Sequence, residues 1–184
     1  MHKTILHQAG ISLTELMLSL TLGLIVTGLS VPGFTSLMDR NQVTIQAHTI
    51  LESLYLARSQ AISSNTTVHV CKMDTSNGNA CSSDRNYNSD WSSGWLIFSD
   101  TNRNNDFDPQ DALLRVVDMP DKVNIVFNQR GRLRFFPDGT ARSAGFYVCD
   151  PRQENYRHLY LLYSGRARIN QKLTDKQKAI CDDL

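Results

Sequence analysis

The chain has 184 residues, enough for one globular core with an appendage and too few for a large multidomain enzyme. Lys and Arg number 19 against 18 Asp and Glu, with 41% hydrophobic and 20% charged residues, which excludes a disordered tail and carries no message about partners. The average conceals two asymmetries: sustained apolarity in the first 38 residues, and a surplus of Lys and Arg in the last third.

Residues 1–10 form a short polar leader with His2 and Lys3, followed by Ile11, Ser12, Leu13, Thr14 and Glu15. From Leu16 to Met38 there is no charge over 23 residues, a length that can span a bilayer as a helix. A conventional secretory signal fits poorly, because such a signal places its small-residue cleavage site after the apolar stretch, whereas Gly10 precedes it. Cleavage at Gly10 would keep the helix and leave a new amine on Ile11, one turn from Glu15. A carboxylate on the edge of an apolar helix is costly in lipid and needs a partner, either that amine or a neighbouring subunit's. The plainer reading places Glu15 at the headgroup boundary.

The run Gly10-Ile11-Ser12-Leu13-Thr14-Glu15-Leu16-Met17 resembles the class III leader of type IV pilins and type II secretion pseudopilins, usually G-F-T-L-I-E-L, with Ile11, Ser12 and Thr14 as departures. The resemblance implies cleavage after Gly10 by a prepilin peptidase, N-methylation of Ile11, and pairing of Glu15 with a neighbour's terminal amine. It also implies insertion through an inner-membrane assembly platform into a filament of major and minor pilins.

After Met38 the apolar residues Val43, Ala47, Ile50, Leu54, Ala57 and Ala61 recur in steps of four and three, one stripe of a helix that would bury itself against a domain. A single long helix is expected, with 11–38 as its membrane or filament-core half and 39–64 as its amphipathic half, and with Pro32 and Gly33 as a kink or melting point. Beyond Ser64, residues 65–184 read as a globular β domain. Strands are expected at Thr67–Lys72, Gly94–Ser99, Leu113–Val117, Val123–Asn128, Arg132–Phe136, Gly145–Cys149 and His158–Ser164. Asp138-Gly139 reads as a hairpin turn, and 74–90 and 99–110 as surface loops. The fold class expected is α+β, a long helix packed on a mainly antiparallel sheet domain.

Cys71, Cys81, Cys149 and Cys181 all follow the apolar segment, and Lys3 precedes it, so the positive-inside tendency places the cysteines in an oxidising compartment. Of three possible pairings, sequence proximity favours Cys71 with Cys81 and Cys149 with Cys181, the second pinning a charged and otherwise frayed C terminus. No C-x-x-C pair or tight Cys/His cluster suggests zinc. No catalytic motif surrounds any of His2, His7, His48, His69 or His158, and no enzymatic activity is expected. The loop Asp100–Asp111 alternates oxygen-bearing side chains as an EF-hand loop does, although Asn105 replaces the turn glycine and Asp111 is shorter than the usual glutamate. It reads first as a solvated Asx-rich turn and second as a Ca2+ loop.

From Arg130 to Leu184 there are 11 Lys and Arg against 6 Asp and Glu, whereas Ile11 to Gln129 holds 7 against 12. Such polarity favours an anionic partner. Gly131-Arg132-Leu133-Arg134 and Gly165-Arg166-Ala167-Arg168 each alternate two arginines after a glycine, so that in a strand both forks would face one way. Near Phe135 and Phe136 the first pair reads as a solvated sheet face.

The order of the helix, the strand ending at Cys71, the Gly94-Trp95 to Asp100 segment, the Phe136-Pro137-Asp138-Gly139 turn and the terminal Ser164-Gly165-Arg166 is similar to the GspH/FimT group of minor pilins over most of the chain. That resemblance implies the type IV pilin fold. Gly165-Arg166-Ala167-Arg168 matches the G-R-x-R pattern of FimT-type members, which implies binding of double-stranded DNA in natural transformation, with Lys172, Lys176 and Lys178 extending the footprint. The chain would then sit in the inner membrane with a periplasmic domain before assembly and at the pilus tip afterwards. The alternative is a GspH/FimU-like subunit that primes filament assembly without binding DNA.

Overall fold

A computed structural model describes residues 12–74, 76, 80–119, 123–152, 154–171 and 173–182; the side chains of 29–36 and of Asp182 lie outside this description. In chain order the elements are α1 (Leu13–Ser64), β1 (Thr67–Lys72), β2 (Ser89–Asp90), β3 (Gly94–Asp100), β4 (Ala112–Asp118), β5 (Asn124–Phe127), β6 (Leu133–Phe135), β7 (Ala144–Cys149), β8 (Tyr156–Leu161), β9 (Ala167–Asn170) and α2 (Asp175–Asp182). Two compact units divide the chain, Met1–Met38 and Asp39–Leu184.

In the first unit, Ser12 caps α1: its hydroxyl accepts the Glu15 amide at 3.2 Å, so an exposed Glu15 sits in the first turn, where the helix dipole favours a carboxylate. Leu16, Met17, Leu18, Leu20, Leu22, Leu24, Ile25 and Val26 are all exposed. Ser19, Thr21 and Thr27 turn their hydroxyls back onto helix carbonyls at 2.9 Å, which satisfies them without water. The 23-residue apolar run includes 29–36, and among the described residues no helix is long and apolar enough to cross a membrane. Because α1 is helical throughout, Pro32 and Gly33 do not end it, contrary to the expected melting point.

In the second unit, the whole stripe from Val43 to Ala61 is buried, as its spacing requires. It packs against two antiparallel sheets, β4-β3-β1-β6 and β2-β5-β7-β8-β9. Alternation along the strands fixes the faces. Val68, Val70, Trp95, Ile97, Leu133 and Phe135 of the first sheet join the helix stripe in one core with Ile125, Phe127, Phe146, Val148, Leu159 and Ala167 of the second. The outer faces, turned away from α1, carry their own smaller clusters. On the first sheet Cys71, Leu96 and Phe98 pack with Cys81 and Phe107, and the Cys71–Cys81 disulfide ties the following loop there. On the second, Val126, Tyr147 and Cys149 lie beneath Leu173 and Ile180, and the Cys149–Cys181 disulfide fastens α2 over them. Both disulfides are those favoured by proximity.

All seven expected strands are present, Thr67–Lys72 with the expected ends and the other six with shifted ones. β2, β9 and α2 were not foreseen. The segment pinned by Cys149–Cys181 is helical over Asp175–Asp182, and Thr174 and Gln177 bond across its first turn: the Gln177 amide donates to the Thr174 carbonyl and the Thr174 amide to Gln177 Oε1, each at 2.9 Å. Asp138-Gly139 turns as expected, with Gly139 N donating to Phe136 O at 2.8 Å, but it closes a single bridge, Phe135 to Ala141, before the chain crosses to the second sheet.

Candidate functional site

The Gly165 motif lies in the β8–β9 hairpin. Leu162 accepts the Gly165 amide at 2.9 Å and donates to Arg166 O at 3.0 Å, closing a tight turn with Gly165 at φ +72°. A Cβ on Gly165 would stand 2.0 Å from the Gly139 carbonyl, so the glycine is required by both backbone and space. That carbonyl also accepts Arg58 Nε at 3.1 Å, and Ala141 N donates to Tyr163 O at 2.9 Å. Two turns and the helix thereby fix the start of β9, and Gly165 acts by shaping the hairpin.

Ala167 is buried at the start of β9 and Ile169 packs on the same core, which leaves Arg168 exposed on the outer face, with Arg166 exposed just before the strand at the end of the turn. Strand β9 is an edge, and Tyr55 Oη donates to the Ala167 carbonyl between the two arginines at 3.2 Å. Neither arginine forms a salt bridge among the described residues. Opposite Arg168 is Tyr160, and opposite Asn170 is His158, which stacks on Tyr147 with ring centroids 4.5 Å apart. Together with Asn128, these rings line a shallow cleft of about 290 Å³. Burial holds the His158 pKa below its ordinary value, so the ring adds an aromatic face and no charge at neutral pH. The site is thus a pair of guanidinium forks beside aromatic side chains, suited to phosphate and sugar contacts without base reading.

The lysines divide. Lys176 is exposed on α2, whereas Lys178 bonds Asp175 at 3.5 Å and lines a separate cleft of about 360 Å³ with Arg40 and Arg157. Burial, and then the charge of Arg40, lower the Arg157 pKa. Lys172 lies outside the described residues, as do Gly10 and Ile11. Arg132 and Arg134 sit on the outer face of the first sheet, so the two arginine pairs do not share a sheet face. Rather than a plain solvated face, the first pair lines a basic cleft with arginines from other segments.

The Asp100–Asp111 loop uses its oxygens internally. Asp108 accepts Asn102 and Asn104 amides at 2.7 and 2.6 Å, Asp111 accepts Thr101 N at 2.9 Å, and Asp100 accepts Asn105 N at 3.0 Å. Hydrogen bonds from Gln110 and Asn102 hold the Asp108 pKa low. Arg103 and Asn105 have positive φ, and among the described residues no group of three or more His, Cys, Asp or Glu is placed to hold a metal.

Sequence reasoning missed Tyr160 and His158, whose place beside Arg168 depends on hairpin register; Ser164-Gly165 was the available signal for that turn.

The family model described as type II transport protein GspH matches residues 46–165. No curated protein sequence is significantly similar to the chain. Among solved structures, the type IV minor pilin FimU of Pseudomonas aeruginosa shares the fold with a TM-score of 0.53 at 19% identity, over 71% of this chain and 90% of that one. The minor pseudopilin EpsH from the type II secretion system of Vibrio cholerae matches with a TM-score of 0.51 at 12% identity, over 74% of this chain and 99% of that one.

Proposed function

The chain belongs to the GspH family, and on that premise we propose that it is a FimT-type minor pilin that enters a type IV pilus and holds extracellular double-stranded DNA on Arg166 and Arg168. The observation that carries this reading is the exposure of both arginines, free of salt bridges among the described residues, at the start of edge strand β9, with Arg168 opposite Tyr160. Phosphate contacts of this kind give affinity without sequence preference and weaken as salt rises. Lys172 and Lys176 extend the footprint, and the Cys149–Cys181 disulfide fastens α2 to β7 of the same sheet.

Assembly uses the other unit. A prepilin peptidase cleaves after Gly10, Ile11 is N-methylated, and Glu15 pairs with the terminal amine of a neighbouring pilin. Support comes from the exposed position of Glu15 in the first turn and from the exposed apolar side chains behind it, a surface that monomeric soluble proteins do not leave open to water. Before assembly these side chains face the lipid of the inner membrane, with the β domain in the periplasm; after assembly they face other pilins.

An Arg166→Ala/Arg168→Ala double substitution in the native host tests the reading. Loss of DNA uptake with filaments intact is the expected result. Loss of filaments would assign the same arginines to subunit contacts and the chain to filament priming.

A further inference from the structure

Five arginines from three stretches of chain converge on one cleft of about 590 Å³ on the outer face of the first sheet. Arg132 and Arg134 flank Leu133 of β6 on its outward side, Arg130 precedes the Gly131 turn, Arg142 follows the Phe135–Ala141 bridge, and Arg85 comes from the loop after Cys81. Against them stands one lining carboxylate, Asp106, which bonds Arg132 at 2.6 Å. The other four form no salt bridge among the described residues.

Gathering like charges costs free energy, and this cleft does so with its guanidiniums held in place. Arg132 donates to the Asn105 carbonyl, and Arg134 to Asn105 Oδ1 at 3.1 Å. The Arg130 guanidinium lies 4.5 Å over the Tyr87 ring, a cation–π contact, and Arg142 Nη2 donates to Arg130 O at 3.4 Å. The Arg85 side chain lies over Gly131. The field reaches inward: His69, buried beside Arg134 across the β1–β6 pair, has its pKa lowered to about 4, by burial first and by Arg132 next.

We propose that this cleft is a binding site for a compact anion bearing two or more phosphate groups, separate from the DNA-binding edge on β9. Its volume falls in the range of small-molecule sites, and rigid guanidinium forks match phosphate oxygens two at a time. The walls argue for a compact ligand over a duplex. The loop at Asn104–Asp106 stands on one side and Arg85 on another, so phosphates must enter a concavity instead of lying along a face. Phe136 adds one apolar contact at the rim. The inference does not depend on the DNA reading, since the β9 arginines lie on the other sheet.

The test is calorimetric titration of the full chain, in a non-ionic detergent at fixed ionic strength, with inorganic tripolyphosphate and separately with sulfate. Saturable one-to-one binding of tripolyphosphate is expected, at least about tenfold tighter than sulfate. It should weaken at least about tenfold in Arg130→Gln/Arg142→Gln, whose side chains are exposed, and stay within about twofold in Arg166→Ala/Arg168→Ala. Matching thermal melts keep the comparison free of folding effects. Absence of binding at low salt, equal affinity for sulfate, or an unchanged Arg130→Gln/Arg142→Gln variant would overturn the site. Loss of binding in the β9 variant would overturn its independence.

Discussion

Gly165 and Gly131 precede similar arginine pairs and both have positive φ, yet their surroundings set different costs for a methyl group. At Gly165 a Cβ meets a backbone carbonyl at 2.0 Å, and at Gly131 only the flexible Arg85 side chain at 3.5 Å. Gly165→Ala should therefore cost about 2 to 4 kcal/mol and Gly131→Ala about 1, read as shifts in urea midpoint. Equal shifts would contradict the packing described. His69 gives a second prediction. Its folded pKa lies near 4, below the unfolded 6.5, so unfolding takes up a proton between these values and stability falls as pH drops through that window. The slope should reach at most about 1.4 kcal/mol per pH unit, with His158, also lowered by burial, adding to it. His69→Gln should flatten the urea-midpoint profile between pH 6.5 and 4. An unchanged profile would contradict the assignment. The alternation of Arg166 and Arg168 was legible in sequence, because period two needs no partner strand. The company of Arg132 was not, because Arg85 and Arg142 reach it only through separate turns.

Each disulfide acts on an element that the main core does not hold. Helix α2 touches the second sheet through a small cluster of Cys181 and Ile180, joined by Leu173 just before the helix, and the Cys149–Cys181 link closes a separation of 32 residues. Removing it in Cys149→Ser/Cys181→Ser should cost about 3 to 4 kcal/mol on a chain-entropy estimate. Hydrogen exchange should show α2 amides losing protection first while β7 and β8 keep theirs; simultaneous loss would mean that α2 belongs to the main cooperative unit. The helix stripe from Val43 to Ala61 was fully legible, since six apolar positions at helical spacing have one consistent use. α2 was obscured by its charge, with Lys176, Lys178 and Asp175 masking a short apolar face, although the Thr174-x-x-Gln177 spacing, with Gln177 Oε1 accepting the Thr174 amide, marks its start. β2 and β9 have two and four residues, too short for alternation to stand out from loop.

At the scale of the whole molecule, the proposed reading assigns assembly to the first unit and recognition to the second. Glu15→Ala should leave the β domain's thermal melt unchanged and abolish recovery of the chain in sheared filaments; normal incorporation would overturn the role given to that carboxylate. Residues 39–184 carry all three apolar clusters, so this unit can be studied by itself. The measurement that bears most directly on the account is titration of this unit against random-sequence duplex DNA at several salt concentrations, beside Arg166→Ala/Arg168→Ala. The account predicts binding that falls steeply with salt, with the variant losing most affinity and about two units of the logarithmic salt slope. Absence of binding at low salt, or a variant that binds as the native unit does, would contradict it.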